Sequence, residues 1–235
     1  MKYALLGSIS CAGLLSGTPA LPAALHTKVF QSGGTFTIPA GASASTIFEF
    51  TLVGGGGGGG GCGTGGGLAA GGGSGAAAMI SLTGFNASDT VAVTVGAAGT
   101  GGTGGGSGHA GGTGGTTALT YSATVIASAT GGTGAMGTNG VNSLAGSAGT
   151  FSTSVGSTGL TQNAALGFGA QDGIGSLIVA FGDTSYSPGG NNAFGVSGTV
   201  SHPAGQLGGG GFGCIGPSVP GGAGGSGLVV VRWVL

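Results

Sequence analysis

Residues 99–114 read GTGGTGGGSGHAGGTG, and glycine falls on every third position: Gly99, Gly102, Gly105, Gly108, Gly111 and Gly114. The spacing returns at Gly131, Gly134, Gly137 and Gly140, and again at Gly221, Gly224 and Gly227, while residues 54–61 are glycine without a break. A three-residue repeat matches the polyproline II helix, which has about 3 residues per turn and makes no internal hydrogen bonds. Each N–H and C=O of such a helix must find an outside partner. A glycine edge lets neighbouring backbones approach and bond, and a Cβ on that edge blocks them. The spacing predicts a bundle of polyglycine-II helices with a core of main-chain hydrogen bonds. Collagen shares the period but needs abundant proline. This chain has 7 prolines, none inside the periodic runs.

Such a body has a cost. Ordering glycine is unfavourable by roughly 0.5–1 kcal/mol per residue relative to alanine. Dense pairing, flanking strands or subunit association must offset it. Flanking strands are legible at 35–38, 46–53, 78–82, 90–95, 119–127, 176–181 and 228–234, each rich in Val, Ile, Thr or Phe and bounded by Gly, Pro or Asn. In the second of these, Phe48, Phe50 and Leu52 alternate with Ile47, Glu49 and Thr51, giving one apolar face. Helix-period segments are missing. The expected fold is all-β plus a polyglycine-II bundle, short strands framing the glycine helices, with no α-helical domain.

The 235 residues include 65 glycines, and only 3% are charged: Lys2, Lys28, Arg232, Glu49, Asp89, Asp172 and Asp183. The net charge of −1 supplies no electrostatic footprint for nucleic acid or an anionic membrane. Disordered chains are rich in charge and poor in branched apolar residues. This chain is the reverse, so an ordered body is expected. Residues 1–28 form a hydrophobic segment, too interrupted by Gly7, Ser8 and Ser10 for a spanning helix. We expect it to be retained and to dock onto a neighbouring protein, with a cleaved secretory signal as the alternative. Residues 29–235 form the glycine-rich domain, with an irregular loop region at 141–206.

Little in the chain points to chemistry. Cys11, Cys62 and Cys214 are too few and too far apart for a disulfide framework or a metal pattern. Cys62 and Cys214 sit in glycine tracts, where they either meet in a disulfide or are buried as small apolar residues. His109 or His202 can be matched with an aspartate on paper, but no G-x-S-x-G elbow accompanies them. His26, His109 and His202 lack metal-ligand spacing, and a site shared between three chains is the remaining metal reading. Matches to G-x-G-x-x-G carry no weight, since no helix follows and no lysine is at hand. His109 is expected to face outward, and Asp89 to form a turn rather than a calcium site. No enzyme activity, cofactor or metal is expected.

Residues 141–206 break the period and gather aromatics and amides. Loops on a rigid scaffold are where recognition residues collect. Phe168, Asp172, Tyr186, Asn191, Asn192 and Phe194 are the candidate receptor contacts, with the alternative that Phe168, Phe181 and Phe194 plug a small apolar core.

Four segments carry a resemblance: FQSGGTFTIPAG (30–41), FTLVGGGGGGGG (50–61), VTVGAAGTGG (93–102) and PGGAGGSGLVVVRWV (220–234). Together they resemble the glycine-rich domain of bacteriophage tail fibres and receptor-binding tips, also found in adhesins and some bacterial surface proteins. The resemblance implies a β-containing base, a polyglycine bundle and distal loops that touch a host cell-surface receptor. It also implies homotrimers and a place in the virion, with other tail or capsid proteins as partners. The rival readings are a fibre or capsid part without receptor contact, and a secreted bacterial surface protein. Ice binding through Thr100, Thr103 and Thr113 is disfavoured by their irregular spacing.

Overall fold

A computed structural model describes residues 23–140, 143–156, 158–168, 170–173, 189–192, 197 and 204–235. Among these residues the fold is all-β, with two antiparallel sheets and no helix. The first sheet has the order β1 (Leu25–Phe30), β10 (Leu228–Val234), β3 (Phe48–Val53), β4 (Ala77–Thr83) and β9 (Thr161–Phe168). The second has the order β2 (Gly34–Thr37), β5 (Thr90–Thr94), β6 (Thr117–Tyr121), β7 (Thr124–Ala129) and β8 (Phe151–Thr153). Their inner faces share one apolar core, in which Phe48, Phe50 and Leu52 of β3 are fully buried, as the alternation of this strand requires. Phe36 meets Phe48 and Phe50 edge-on across the sheets, and Val91, Leu119 and Ile126 fill the remainder.

Residues 119–127, expected as one strand, are two. Ser122 and Ala123 hold φ of 48° and 64°, and the chain reverses there so that Tyr121 pairs with Thr124. Two central residues at positive φ make the tight hairpin turn whose twist suits flanking strands. Neither is glycine or asparagine, so the turn left no mark in the sequence. The region 141–206 contains β8 and β9, and residues 25–28 of the N-terminal segment are part of β1. The strand expected at 176–181 lies outside the described residues.

Among the described residues, four stretches of glycine-rich chain leave the sheets as long arches: 54–76 between β3 and β4, 95–116 between β5 and β6, 130–140 with 143–150 between β7 and β8, and 204–227 leading into β10. The two legs of each arch bond to each other, as in Gly57 N–H to the carbonyl of Gly73 and Gly222 N–H to the carbonyl of Phe212.

The outgoing leg of the first arch, residues 54–62, is the axis of the assembly. Its N–H groups address three antiparallel neighbours in rotation. Gly54, Gly57 and Gly60 donate to Ala76, Gly73 and Ala70; Gly55, Gly58 and Gly61 donate to Gly115, Gly112 and His109; Gly56, Gly59 and Cys62 donate to Gly225, Gly222 and Val219. Its carbonyls are reached from three parallel neighbours. Gly132, Ala135 and Thr138 donate to Gly55, Gly58 and Gly61; Gly99, Gly102 and Gly105 to Gly56, Gly59 and Cys62; Gly211 and Cys214 to Gly57 and Gly60. The six neighbours also bond to one another in a closed ring, in which parallel and antiparallel legs alternate.

This packing accounts for where glycine is unbroken and where it recurs by threes. Every residue of the axis faces a neighbour. A Cβ at Gly57 would land on the carbonyl oxygen of Thr133, one at Gly58 on that of Thr100 and one at Gly59 on that of Phe212. An outer leg faces the axis only once per three residues, so a Cβ at Gly111 or Gly114 would strike Gly58 or Gly55, while Ala110 and Thr113, each just before one of them, are exposed. Gly99, Gly102, Gly108, Gly131, Gly134 and Gly137 are likewise closed in by backbone. Gly105 and Gly140 depart from the expected role. Nothing lies near their missing Cβ atoms, and φ of 94° and 87° places them in turns at the arch tips, where glycine meets a conformational demand instead.

Candidate functional site

The geometry of the molecule follows from the arches. β3 runs toward the bundle and β10 away from it, so the end of the sandwich remote from the bundle carries Leu25, Ile47 and Val234. Both ends of the described fold lie there, since Ala24 and Leu235 exchange backbone bonds of 2.8 and 3.2 Å. At the opposite extreme are the four arch tips, and they interlock. Thr64 N–H donates to Gly106, Gly140 N–H to Gly66, Gly216 N–H to Gly67 and Ser218 N–H to Gly63, and the Asn139 Oδ1 accepts from Gly65 N–H at 2.9 Å. Just behind the tips, Cys62 is joined to Cys214 in a disulfide that ties the axis to a neighbouring leg, resolving the two sequence alternatives. Gly56 and Gly59 face that same leg, and Cys62 continues their row at the first position where a side chain is accommodated.

Of the candidate contacts, Phe168, Asp172, Asn191 and Asn192 lie along the flank of the first sheet and the adjoining bundle. Phe168 ends β9, opposite Ala77, and is half-buried. The Oδ1 of Asp172 accepts from Ala148 N–H at 2.6 Å, although the residue is exposed. The carbonyl of Asn191 accepts from Gln171 N–H, and its Oδ1 accepts from Ser197 N–H at 2.6 Å. The Nδ2 of Asn192 donates to the carbonyls of Leu207 and Gly75 at 3.1 and 3.3 Å. These polar groups fasten irregular chain to the bundle, satisfying backbone that the three-residue lattice does not reach. Tyr186, Phe194 and Phe181 lie outside the described residues.

Two further surfaces stand out, the second of which includes Thr100 and Thr113. One is a groove of about 610 Å³ at the remote end of the sandwich, lined by Leu25, Ile47, Val234 and Trp233 and by the ion pair of Arg232 with Glu49 at 3.7 Å. The alternation in residues 47–52 set Glu49 apart from the apolar face; its opposition to Arg232 depends on β3 pairing with β10. The other is the outer flank of the second sheet and its arches, where exposed Thr100, Thr113, Thr133 and Ser147 recur on successive legs. The Thr133 hydroxyl accepts from Ser147 N–H at 2.7 Å, and Thr130 and Thr150 hydroxyls meet at 3.3 Å.

His109 is exposed and its carbonyl accepts from Gly61, while His26 stacks on Trp233 at 5.3 Å. The Asp89 carboxylate accepts from Asn86 N–H at 2.8 Å, the turn role expected of it, and from the Tyr121 hydroxyl at 2.7 Å. That hydrogen bond, with burial and the nearby negative charge, holds the Tyr121 phenol above its ordinary pKa. Among the described residues no three His, Cys, Asp or Glu side chains gather as a metal site, and no helix is long and apolar enough to cross a membrane.

A search among curated proteins finds no match to this chain. A family model described as a glycine-rich domain matches residues 30–234, from the last residue of β1 to the end of β10. That span takes in β2 to β10 and the four arches, and the chain therefore belongs to the glycine-rich domain family.

Proposed function

We propose that this protein is a bacteriophage tail-fibre or tail-tip component, in which the sandwich is the base and the arches form a stiff, uncharged projection. In this reading the legs are polyglycine-II helices packed around the axis of residues 54–62, and the domain has no catalytic role. The observation that carries it is the closed ring of six bonded neighbours around that axis. Backbone groups removed from water on every side leave little freedom to bend, and each bond contributes roughly 0.5–1.5 kcal/mol net. A body of this kind transmits force and presents loops without needing acids, bases or metals.

Three further features fit. The Cys62–Cys214 disulfide suits an oxidising exterior rather than a reducing cytosol. Leu25 and Leu235 lie at the base, the side where other virion proteins would attach. The resemblance to phage fibres brings trimers and a host cell-surface receptor with it. Purified full-length protein should then block adsorption of the phage that encodes it. Undiminished adsorption at saturating protein overturns receptor binding.

A second reading, a structural virion part without receptor contact, is favoured by the bonds of Asp172, Asn191 and Asn192 to the bundle and its surroundings. It predicts unchanged host range when Tyr186, Asn191, Asn192 and Phe194 are replaced by alanine in a protein that still folds.

A further inference from the structure

The legs of the arches do not all rise from the same sheet. The axis follows β3, residues 70–76 lead into β4 and residues 219–227 into β10, so these three belong to the first sheet. Their register is inherited from strand pairing. Val53 opposes Ala77 and Leu228 at the ends of the two ladders. The same pairing runs on without a shift in the bonds of Gly54 with Ala76, Gly57 with Gly73, Gly56 with Gly225 and Gly59 with Gly222. The arch of residues 95–116 joins β5 to β6 and belongs to the second sheet. No strand ladder ties it to the axis. The two sheets face each other through apolar side chains, and burial of that kind is non-directional. Glycine recurs every third residue along this arch, so its sequence does not single out one alignment.

A directional contact between the sheets stands at the root of this arch. Thr117 is the first residue of β6 and is fully buried. Its Oγ1 donates to the carbonyl of Val53, the last residue of β3, at 2.6 Å, and accepts from Gly96 N–H at 2.9 Å. A hydroxyl can give and receive at once. Further along, Gly99, Gly102 and Gly105 donate directly to the carbonyls of Gly56, Gly59 and Cys62, in steps of three on both legs. One step nearer the sandwich lie Gly96 and Val53. Theirs is the first rung of the same row, with the Thr117 oxygen inserted between donor and acceptor. Gly227, the residue before β10, closes against this point: its N–H donates to the Gly96 carbonyl, and a Cβ on it would meet both the Val53 carbonyl oxygen and Thr117 Oγ1.

We propose that the Thr117 hydroxyl sets the register of the 95–116 arch against the axis. Val53 has its place fixed by two ladders of the first sheet, and Thr117 has its own fixed by pairing with Ala129 in the second. The hydroxyl carries that relation into the first rung, and the rungs at Gly99 and Gly102 follow it. Thr117 acts as a positioning residue, and the group it positions is the Gly96 amide.

Residue-resolved amide exchange on the full-length, disulfide-bonded protein tests the proposal, with T117S and T117A compared. Both lose the methyl group, and T117A also loses the hydroxyl. In T117A the amides of Gly96, Gly99 and Gly102 should exchange at least about tenfold faster, the scale of a buried polar group left without its partner. Gly57 and Gly60, which donate to Gly73 and Ala70 among the legs of the first sheet, should keep wild-type rates. T117S should match wild type at all of these positions. T94A removes an exposed hydroxyl of β5 and should change none of them. Equal acceleration at Gly57 and Gly60 in T117A overturns the proposal, as do unchanged rates at Gly99 and Gly102. So does a T117S or T94A variant that behaves as T117A. Should T117A fail to fold, wild type decides. Its Gly96 amide should be protected as well as those of Gly99 and Gly102, and exchange there at the rate of exposed loops overturns the first rung.

Discussion

The sandwich and the bundle grow from the same strands yet are held together by opposite means. In the sandwich, Phe36, Phe48, Phe50 and Phe85 are withdrawn from water and contact each other through ring faces and edges. Packing there depends on side-chain volume, and small losses are absorbed by partial relaxation. In the bundle the axis of residues 54–62 has side-chain-free positions up to Cys62, and contact is backbone to backbone in all directions. A core of side chains is sensitive to what is taken away. One of main chain is sensitive to what is added.

That contrast can be broken by adding one methyl group. Gly58→Ala drives a Cβ onto the carbonyl oxygen of Thr100 at a point ringed by six legs. Backbone, not a flexible side-chain end, would have to move. We expect a loss of at least about 4 kcal/mol, among the exceptional single-residue effects, read as failure to fold or a collapse of the melting temperature. Should Gly58→Ala melt within a few degrees of wild type, the close-packed axis is refuted.

Removing a whole ring from the sandwich should cost no more. Phe50→Ala deletes a fully buried side chain and is expected to destabilise by about 3–5 kcal/mol in a chemical denaturation series. The bundle should remain the slower-exchanging region in that variant.

Next comes the disulfide. Cys62 and Cys214 are separated by 152 positions, and closing a long loop restricts the unfolded chain, with typical stabilisation of about 2–4 kcal/mol. Reduction should lower the melting temperature accordingly. Amides of residues 54–62 should exchange faster while those of β3 and β10 change less, because the bond crosses the bundle and not the sandwich.

The smallest effect belongs to the edge of the sandwich. The Tyr121 phenol has its pKa raised in the fold by the Asp89 carboxylate that accepts its hydrogen bond. A raised acid contributes stability that is complete below its unfolded pKa of about 10 and is lost as pH rises through the folded value. Wild type should therefore lose slightly more stability above pH of about 10 than Tyr121→Phe, in melting curves at matched ionic strength.

Local pattern revealed more of the bundle than of the sandwich. The three-residue recurrence at Gly108, Gly111 and Gly114 reports an inward edge directly, because a Cβ there is sterically forbidden and no other residue substitutes. The alternation in residues 47–52 likewise identified which side of β3 is buried. The turn at Ser122 and Ala123 left no such trace, since residues other than glycine took up positive φ there. β9 was missed for a related reason: Ala164, Ala165 and Gly167 have little strand preference, and the segment is strand because β4 offers it a ladder. Among candidate contacts, aromatic and amide composition drew attention to residues 168–194, but it could not distinguish a side chain offered to a partner from one bonded to its own backbone.

Composition and spacing therefore carried the architecture at the level of residue type: a charge-poor all-β body, glycine where backbones touch, strands where branched residues alternate. Which legs touch is another matter. Gly55 meets Gly115 and Gly132, and Gly56 meets Gly225 and Gly99. Glycine is the same letter at every one of these places, so no local pattern can name the partner. The arrangement of the two sheets chooses it, by fixing where each arch begins and thus which backbone donor stands opposite which acceptor.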